Sequence, residues 1–364
     1  MNGKKIRVGI LGATGMVGQR FISLLEDHPW FEVVSLAASP KSAGKTYQEA
    51  VGNRWLMPGG IPEKIKNIKV RAVEEDIDLI TKEVDLVFSA IDADKDKIKS
   101  LEERYAAAGV AVVSNNSAHR WTEDVPMLIP EINPEHLELI GVQRKNRGWT
   151  NGLLVVKPNC SLQSYLPVIY ALKKFKPEKI SVTTLQAISG AGKTFESWPE
   201  MLDNCIPFIK GEEEKTEKEP LKIFGEIKNS KLEIASKPVI SATCIRVAVS
   251  DGHMASVSVK FKNKPTSEQI IDAIENFDNP LAGQNLPSAP KKFIRYFSED
   301  DRPQTGLDRD YENGMGITCG RFREDRPDGW KFVALSHNTI RGAAGGAILI
   351  AELLYKRGYL SDGK

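Results

Sequence analysis

The sequence predicts an α/β protein: an N-terminal doubly wound parallel sheet, then a second α+β domain with a mixed sheet. Three observations carry this expectation. Apolar strand-like runs alternate with helix-like runs through the N-terminal part of the chain. The first strand runs into Gly12-Ala13-Thr14-Gly15-Met16-Val17-Gly18, a G-x-x-G-x-x-G stretch that opens a helix pattern. Beyond Pro158 the pattern changes to longer, alternating runs rich in Val and Thr. A final helix, Ala347 to Arg357 with Gly358 as its cap, is expected to return to the first domain. The limits read as 1–157, completed by 340–364, and 158–339.

With 364 residues the chain is long enough for two sizeable cores. Lys and Arg (50) balance Asp and Glu (48), so no basic field for nucleic acid is expected. Cys160, Cys205, Cys244 and Cys319 lie far apart, without the spacing of a zinc site or a disulfide framework. No histidine pair has metal-ligand spacing, and no metal is expected. No apolar run approaches the ~18 residues of a membrane span. Met1-Asn2-Gly3-Lys4-Lys5 leads straight into a strand, which argues against a signal peptide. A cytoplasmic protein with no membrane partner is the expectation.

Ile6 to Leu11 fits a buried parallel strand. In the turn after it, glycines let the backbone approach a pyrophosphate, and the start of the next helix offers it free N–H groups. The bland alternative is a structural glycine turn. Its place in the first strand–helix unit favours a dinucleotide site in a Rossmann-like domain. The second strand, Glu32 to Ala38, ends without the carboxylate that holds an NAD ribose. Ser39, Lys41 and Ser42 stand there instead and suit a 2′-phosphate, so NADP is the expected cofactor. A weak strand over 67–72 and a helix Ile77–Glu83 follow. A strong strand from Asp85 places Ser89 and Ala90 beside the cofactor crevice. A helix from Lys95 to Ala108 stops at Gly109, and Val110–Ser114 is the next strand. Asn115 to Arg120 then leaves a strand's carboxyl end, where such sheets bind ligands; Arg120 there is an anion clamp or an ordinary solvated side chain.

Leu153–Val156 reads as a strand and Leu162 to Phe175 as a helix, with Pro158-Asn159-Cys160-Ser161 between them. A lone cysteine is more often core packing. At a helix start, however, free N–H groups and the macrodipole favour a thiolate, so the Cys160 thiol is expected below its usual ~8.5. The strand Lys179–Ala187 ends near Gln186 and enters Ile188-Ser189-Gly190-Ala191-Gly192-Lys193. The small size of Ser189 and Gly190 suggests close approach of backbone to a ligand or to another chain.

The charge run Lys210–Glu219 is a solvated helix face unless a carboxylate and a cation turn into a cleft; helix register leaves Glu212, Glu213 and Glu214 open. Asp251-Gly252 between two alternating runs signals a hairpin. A two-residue loop would oppose Ser250 to His253 and Arg246 to Val257. Arg246 and His253 would then share a face, about 13 Å apart along the strands. That makes His253 the best general-base candidate of the five histidines. His28 and His136 are expected at the surface, and His119 and His337 in loops. Asp301 to Gly316 reads as a long loop.

Together these stretches resemble the aspartate-β-semialdehyde dehydrogenases of the archaeal and fungal branch. The matching segments are GATGMVGQRF at 12–21, SNNSAHR at 114–120, KPNCS at 157–161 and LQAISGAGK at 185–193. GEEEK at 211–215, RVAVSDGH at 246–253 and HNTIRGAAGG at 337–346 complete the set, in order along nearly the whole chain. The resemblance implies NADPH-dependent reductive dephosphorylation of L-aspartyl-4-phosphate to L-aspartate 4-semialdehyde, or its reverse, in amino-acid biosynthesis. It implies Cys160 as the thioester-forming nucleophile, His253 as acid/base and Gln186 as the residue orienting the acyl group. Arg246 is implied for the substrate carboxylate, Glu212 for its ammonium, and Lys215 and Arg120 for phosphate. Gly12, Thr14, Gly15, Met16, Val17, Ser39, Ser89, Asn338 and Thr339 are implied as cofactor contacts, and a homodimer or homotetramer as the assembly. A malonyl-CoA reductase shares the scaffold, but its acyl group has no ammonium for Glu212 to hold. A non-catalytic NADP sensor would not need Cys160, Gln186, Arg246 and His253 together.

Overall fold

The computed structural model describes residues 4–325 and 329–360. Met1–Gly3 and Ser361–Lys364, the ends expected of the first domain, lie outside the described residues, as do 326–328 of the second.

Six parallel strands build the first sheet: β1 (Ile6–Leu11), β2 (Phe31–Ala38), β3 (Arg71–Ala72), β4 (Leu86–Ser89), β5 (Ala111–Ser114) and β6 (Leu153–Val156). Their order is β3-β2-β1-β4-β5-β6. The chain winds one way from β1 and then the other, so a crevice opens at the carboxyl ends where β1 meets β4. Every residue of β4, β5 and β6 is buried, as expected of strands with helices on both faces. The helix Gly345–Lys356 is buried continuously from Gly345 to Leu354. It shares one core with Ile6, Ile10, Phe88 and Val113, so the tail does return to the first sheet.

The second part carries β7 (Pro177–Gln186), β8 (Cys205–Ile206), the small ribbon β9 (Glu226–Lys228) and β10 (Lys231–Glu233), then β11 (Val239–Val247) and β12 (His253–Phe261). It ends with β13 (Ile294–Phe297), β14 (Ile317–Asp325) and β15 (Gly329–Ser336). Apart from the ribbon these form one mixed sheet, β13-β14-β15-β12-β7-β11-β8.

This order overturns the expected hairpin. β11 and β12 are not neighbours; β7 lies between them, parallel to β11 and antiparallel to β12. The Asp-Gly turn therefore bridges two strands across a third. The shared face survives for a different reason. Arg246 pairs with Gln186 across β11 and β7, and the register Met254–Leu185 sets His253 opposite Gln186 on the other side. Arg246, Gln186 and His253 form one row across three strands, on the face covered by the helices Leu162–Ala171 and Glu212–Ile223.

Other expectations shift as well. His28 and His136 are buried, not at the surface. His28 Nε2 lies 2.8 Å from Glu352 on the returning helix, and His136 bridges Asn133 and the Gly225 carbonyl. The helix after Cys160 stops at Ala171, with a separate turn over Lys173–Phe175. The 67–72 strand shrinks to Arg71–Ala72. The 301–316 segment holds a short helix, Thr305–Asp308, and a turn, Tyr311–Gly314.

The tail is fastened by a buried ion pair. Arg341 donates to both carboxylate oxygens of Glu131, at 2.7 and 2.6 Å, and to Gln163. The two side chains are 1% and 0% exposed. Removing one partner strands the other charge, so Arg341→Met is expected to cost about 3–5 kcal/mol in chemical denaturation. Arg341→Met combined with Glu131→Leu is expected to cost less than the single change.

Candidate active site

The glycine turn after β1 forms as its residues require. Gly12 has φ 83°, and a Cβ there would stand 2.2 Å from the Ala90 carbonyl oxygen, so no side chain fits. Gly12 and Ala13 both donate to the Ala37 carbonyl, tying the turn to β2. The helix Met16–Leu25 starts directly beyond it. A cleft of about 370 Å3 lies here, lined by Gly12, Thr14, Gly15, Ser39, Ala90, Arg54 and Lys97 among others. An open helix start, a turn without side chains and a β2 end without a carboxylate fit a dinucleotide carrying a 2′-phosphate.

Lys41 is exposed and Ser42 is folded back, its N–H on the Ser39 carbonyl; neither lines this cleft. Ser89 is fully buried, its hydroxyl accepting from Asn116 Nδ2. Met16 and Val17 are half-buried in the helix start. The cations beside the cleft are Arg54, from a turn outside any strand end, and Lys97, on the helix after β4. Arg54 carries no sequence signal that would have marked it.

Cys160 follows β6, three strands along from β1, and so about 14 Å away at the usual strand spacing. It is half-buried in the turn before the helix Leu162–Ala171. Its Sγ lies 3.4 Å from His253 Nε2. His253 is completely buried, and the Ala187 N–H donates to its Nδ1 at 3.1 Å. That bond places the proton of the neutral ring on Nε2, facing the sulfur.

A polar shell closes on this pair. Glu212 is 8% exposed; both its oxygens accept from Asn159 Nδ2, Oε2 accepts from Gln186 Nε2, and Lys215 Nζ donates to Oε1 at 2.8 Å. The helix register turns Glu212, Thr216 and Glu219 inward and leaves Glu214 and Lys218 in solvent. The charge run is thus both a solvated face and a cleft wall. Arg246 is buried, with NH1 on the Ala187 carbonyl at 2.6 Å. A Cβ on Gly190 would stand 2.9 Å from Arg246 NH1 and 3.0 Å from His253 Nε2, so both side chains converge on that glycine. Their side chains meet far closer than the 13 Å along-strand spacing suggested.

Arg120 is also buried, held by Glu219 at 2.8 Å and by the Lys157 and Asn115 carbonyls. Asn159, whose side chain had been given no role, is the hub: it joins Glu212 to Ser161, and its N–H reaches Glu219. Asn338 spans from the Gly252 N–H to the Ser189 hydroxyl, and the Thr339 N–H donates to His337 Nδ1.

The expected low thiol pKa is not found in this site. Burial and then the Glu212 carboxylate push the Cys160 thiol up, against Lys157, Arg120 and Arg246, which pull it down. Burial and Arg246 push His253 down to about 3. The pair therefore rests as a neutral thiol and a neutral imidazole. Glu212 is raised by burial, but Lys215, Asn159 and Gln186 outweigh this and hold it below the usual carboxylate range.

Comparison with known proteins fits this geometry. Residues 7–140 match the family "Semialdehyde dehydrogenase, NAD binding domain", and 167–341 match "Semialdehyde dehydrogenase, dimerisation domain". The chain is similar to an aspartate-semialdehyde dehydrogenase of Archaeoglobus fulgidus, 46% identical over 96% of this chain and 98% of that one. A crystal structure of an aspartate-semialdehyde dehydrogenase with NADP from Candida albicans aligns with TM-score 0.86 at 38% identity, covering 98% of this chain and 100% of that one. A malonyl-CoA reductase (NADP) of Metallosphaera sedula is 36% identical over 98% of this chain and 99% of its own.

Proposed function

Because this chain belongs to the aspartate-semialdehyde dehydrogenase family and is thereby an NADP-using oxidoreductase, we propose that Cys160 carries the acyl group of its substrate as a thioester. The observation that supports this most is the 3.4 Å approach of Cys160 Sγ to His253 Nε2 inside the shell of Glu212, Gln186 and Arg246. Arg246 binds the α-carboxylate of L-aspartyl-4-phosphate, and Glu212 its ammonium. Gln186 orients the acyl group. Lys215, half-buried at the cleft edge, meets the phosphate; Arg120, held from behind by Glu219, adds its charge.

The Cys160 sulfur bonds to the acyl carbon as the carbon–oxygen bond to phosphate breaks, and the thiol proton ends on the departing phosphate. NADPH, when bound across Gly12–Gly15, Ser39, Ala90, Ser189, Gly190, Asn338 and Thr339, supplies the hydride that reduces the thioester. Collapse of the tetrahedral adduct releases aspartate semialdehyde and returns the thiolate, which takes a proton from water. Backbone N–H groups at the start of the helix Leu162–Ala171 are the available oxyanion donors.

We also assign the cofactor domain to 1–157 with 340–364 and the substrate domain to 158–339. Leu202 and Phe208, 60% and 61% exposed beside the edge strand β8, support a homodimer or homotetramer built on the second domain. Among the described residues no helix is long and apolar enough to cross a membrane, and the cytoplasm is the assigned compartment.

The test is a steady-state assay. Semialdehyde, phosphate and NADP are expected to turn over, with NAD a poorer acceptor. Malonyl-CoA with NADPH is expected to give none, because Glu212 would face a group without an ammonium. Malonyl-CoA reduction without semialdehyde oxidation would replace this reading with the acyl-CoA one.

A further inference from the structure

Lys157 directly follows β6, three residues before the cysteine, and is only 2% exposed. The other buried cations around the cysteine have partners of their own. Arg120 is paired with Glu219, and Arg341 with Glu131. Lys222 Nζ donates to three carbonyls, those of Arg120, Thr122 and Val125. Arg246, on the Ala187 carbonyl, faces the substrate pocket. Among the described residues Lys157 Nζ donates only to the Pro158 carbonyl, at 2.9 Å, and no carboxylate stands within ion-pair distance. An ammonium buried with one neutral acceptor is costly, so a negative charge is missing from this spot.

The C-terminal segment says where that charge arises. A Cβ on Gly342 would meet Cys160 Cβ at 2.9 Å, and one on Gly346 would meet Lys157 Cε at 3.0 Å. Two glycines four residues apart thus press on the cysteine and the lysine together, which accounts for the small residues there. The charged groups facing the lysine are Arg120, Arg341 and Glu219; those facing the sulfur are Glu212, Arg246, Arg120 and the neutral His253. Glu219 and Glu212 are already engaged, by Arg120 and by Lys215.

We propose that Lys157 is the built-in counter-ion of the Cys160 thiolate, a positioning residue that stabilises the ionised sulfur when the acyl phosphate arrives. Burial holds Lys157 down at about 7 and pushes the thiol up, and each charge, where it forms, offsets part of that cost for the other. Thioester formation consumes the negative charge and release of the aldehyde restores it. The inference rests on Cys160 being the nucleophile. Alkylation reads the thiol itself and not turnover, so an error about the substrate and an error about the lysine give different results.

In the full-length enzyme, Lys157→Met is expected to raise the midpoint of the pH–rate profile for iodoacetamide alkylation by about one unit, roughly tenfold slower at pH 7. Turnover falls with it at unchanged KM. A second measurement leaves the lysine in place. In protein labelled with 13C-lysine, Lys157 (about 7) and Lys222 (about 8) titrate apart from the others. In Cys160→Asp, which places a carboxylate at this position, the Lys157 midpoint is expected to rise while that of Lys222 stays. An unshifted alkylation profile in a folded Lys157→Met, or an unmoved Lys157 midpoint in Cys160→Asp, overturns the proposal; the second decides alone if Lys157→Met does not fold.

Discussion

Replacing Cys160 with alanine is expected to lower turnover of aspartate semialdehyde, phosphate and NADP by at least about 10^4-fold, while NADP still binds. Catalysis by positioning and electrostatics alone cannot substitute for the thioester bond proposed for the sulfur, since both the phosphate and the hydride meet the same acyl carbon. The fold is expected to tolerate the change. Cys160 is half-buried, and His253, the one hydrogen-bonding neighbour of its sulfur among the described residues, keeps its Ala187 bond. The cofactor cleft is lined from the ends of β1, β2, β3 and β4 with Arg54 and the helix after β4, and contains nothing from the cysteine turn. Steady-state rates and NADP titration by calorimetry check the two halves. Turnover within tenfold of the native enzyme would exclude a covalent thioester at this position.

Why so much of the site was legible lies in short-range chemistry. The glycine turn, the cysteine turn and the row ends of β7, β11 and β12 each follow from local composition. What failed was long-range. Asp251-Gly252 has the residues of a hairpin, yet β7 is inserted between its arms because parallel pairing with β11 buries Ile240, Cys244 and Arg246 in one line with Ile180, Thr184 and Gln186. Histidines 28 and 136 looked external because their partners, Glu352 and Gly225, are 324 and 89 residues away. Arg54 and Lys97 reach the cofactor cleft from a turn and a helix with no motif. The thiol expectation failed for an energetic reason: a helix start favours a thiolate, but burial and the Glu212 carboxylate outweigh it in this enclosed site.

His253→Asn is expected to lower kcat by about 10^2–10^4 with NADP binding retained. The direction of the hydrogen bonds fixes what is lost. Ala187 N–H occupies Nδ1, so the neutral ring presents Nε2–H to the sulfur and to any oxyanion formed beside it. In the proposed mechanism it acts as a donor that stabilises the thiolate and protonates the adduct, and it is not placed to take the first thiol proton. Asparagine keeps an acceptor for Ala187 but has no acidic ring N–H. The pH dependence separates the two roles. The folded imidazole sits at about 3 against the usual 6.5, so it is neutral throughout the working range. Below pH 6.5 the unfolded chain takes up this proton and the folded chain does not. The stability the neutral ring confers is therefore full above 6.5 and lost as the pH falls toward 3. For the free enzyme the acid limb of kcat/KM should have the same position in native protein and in His253→Asn, the two profiles differing in height alone. A native acid limb near pH 6.5 that vanishes in the variant would mean that the ring titrates as a base, and that the Nε2–H donor role assigned here is wrong.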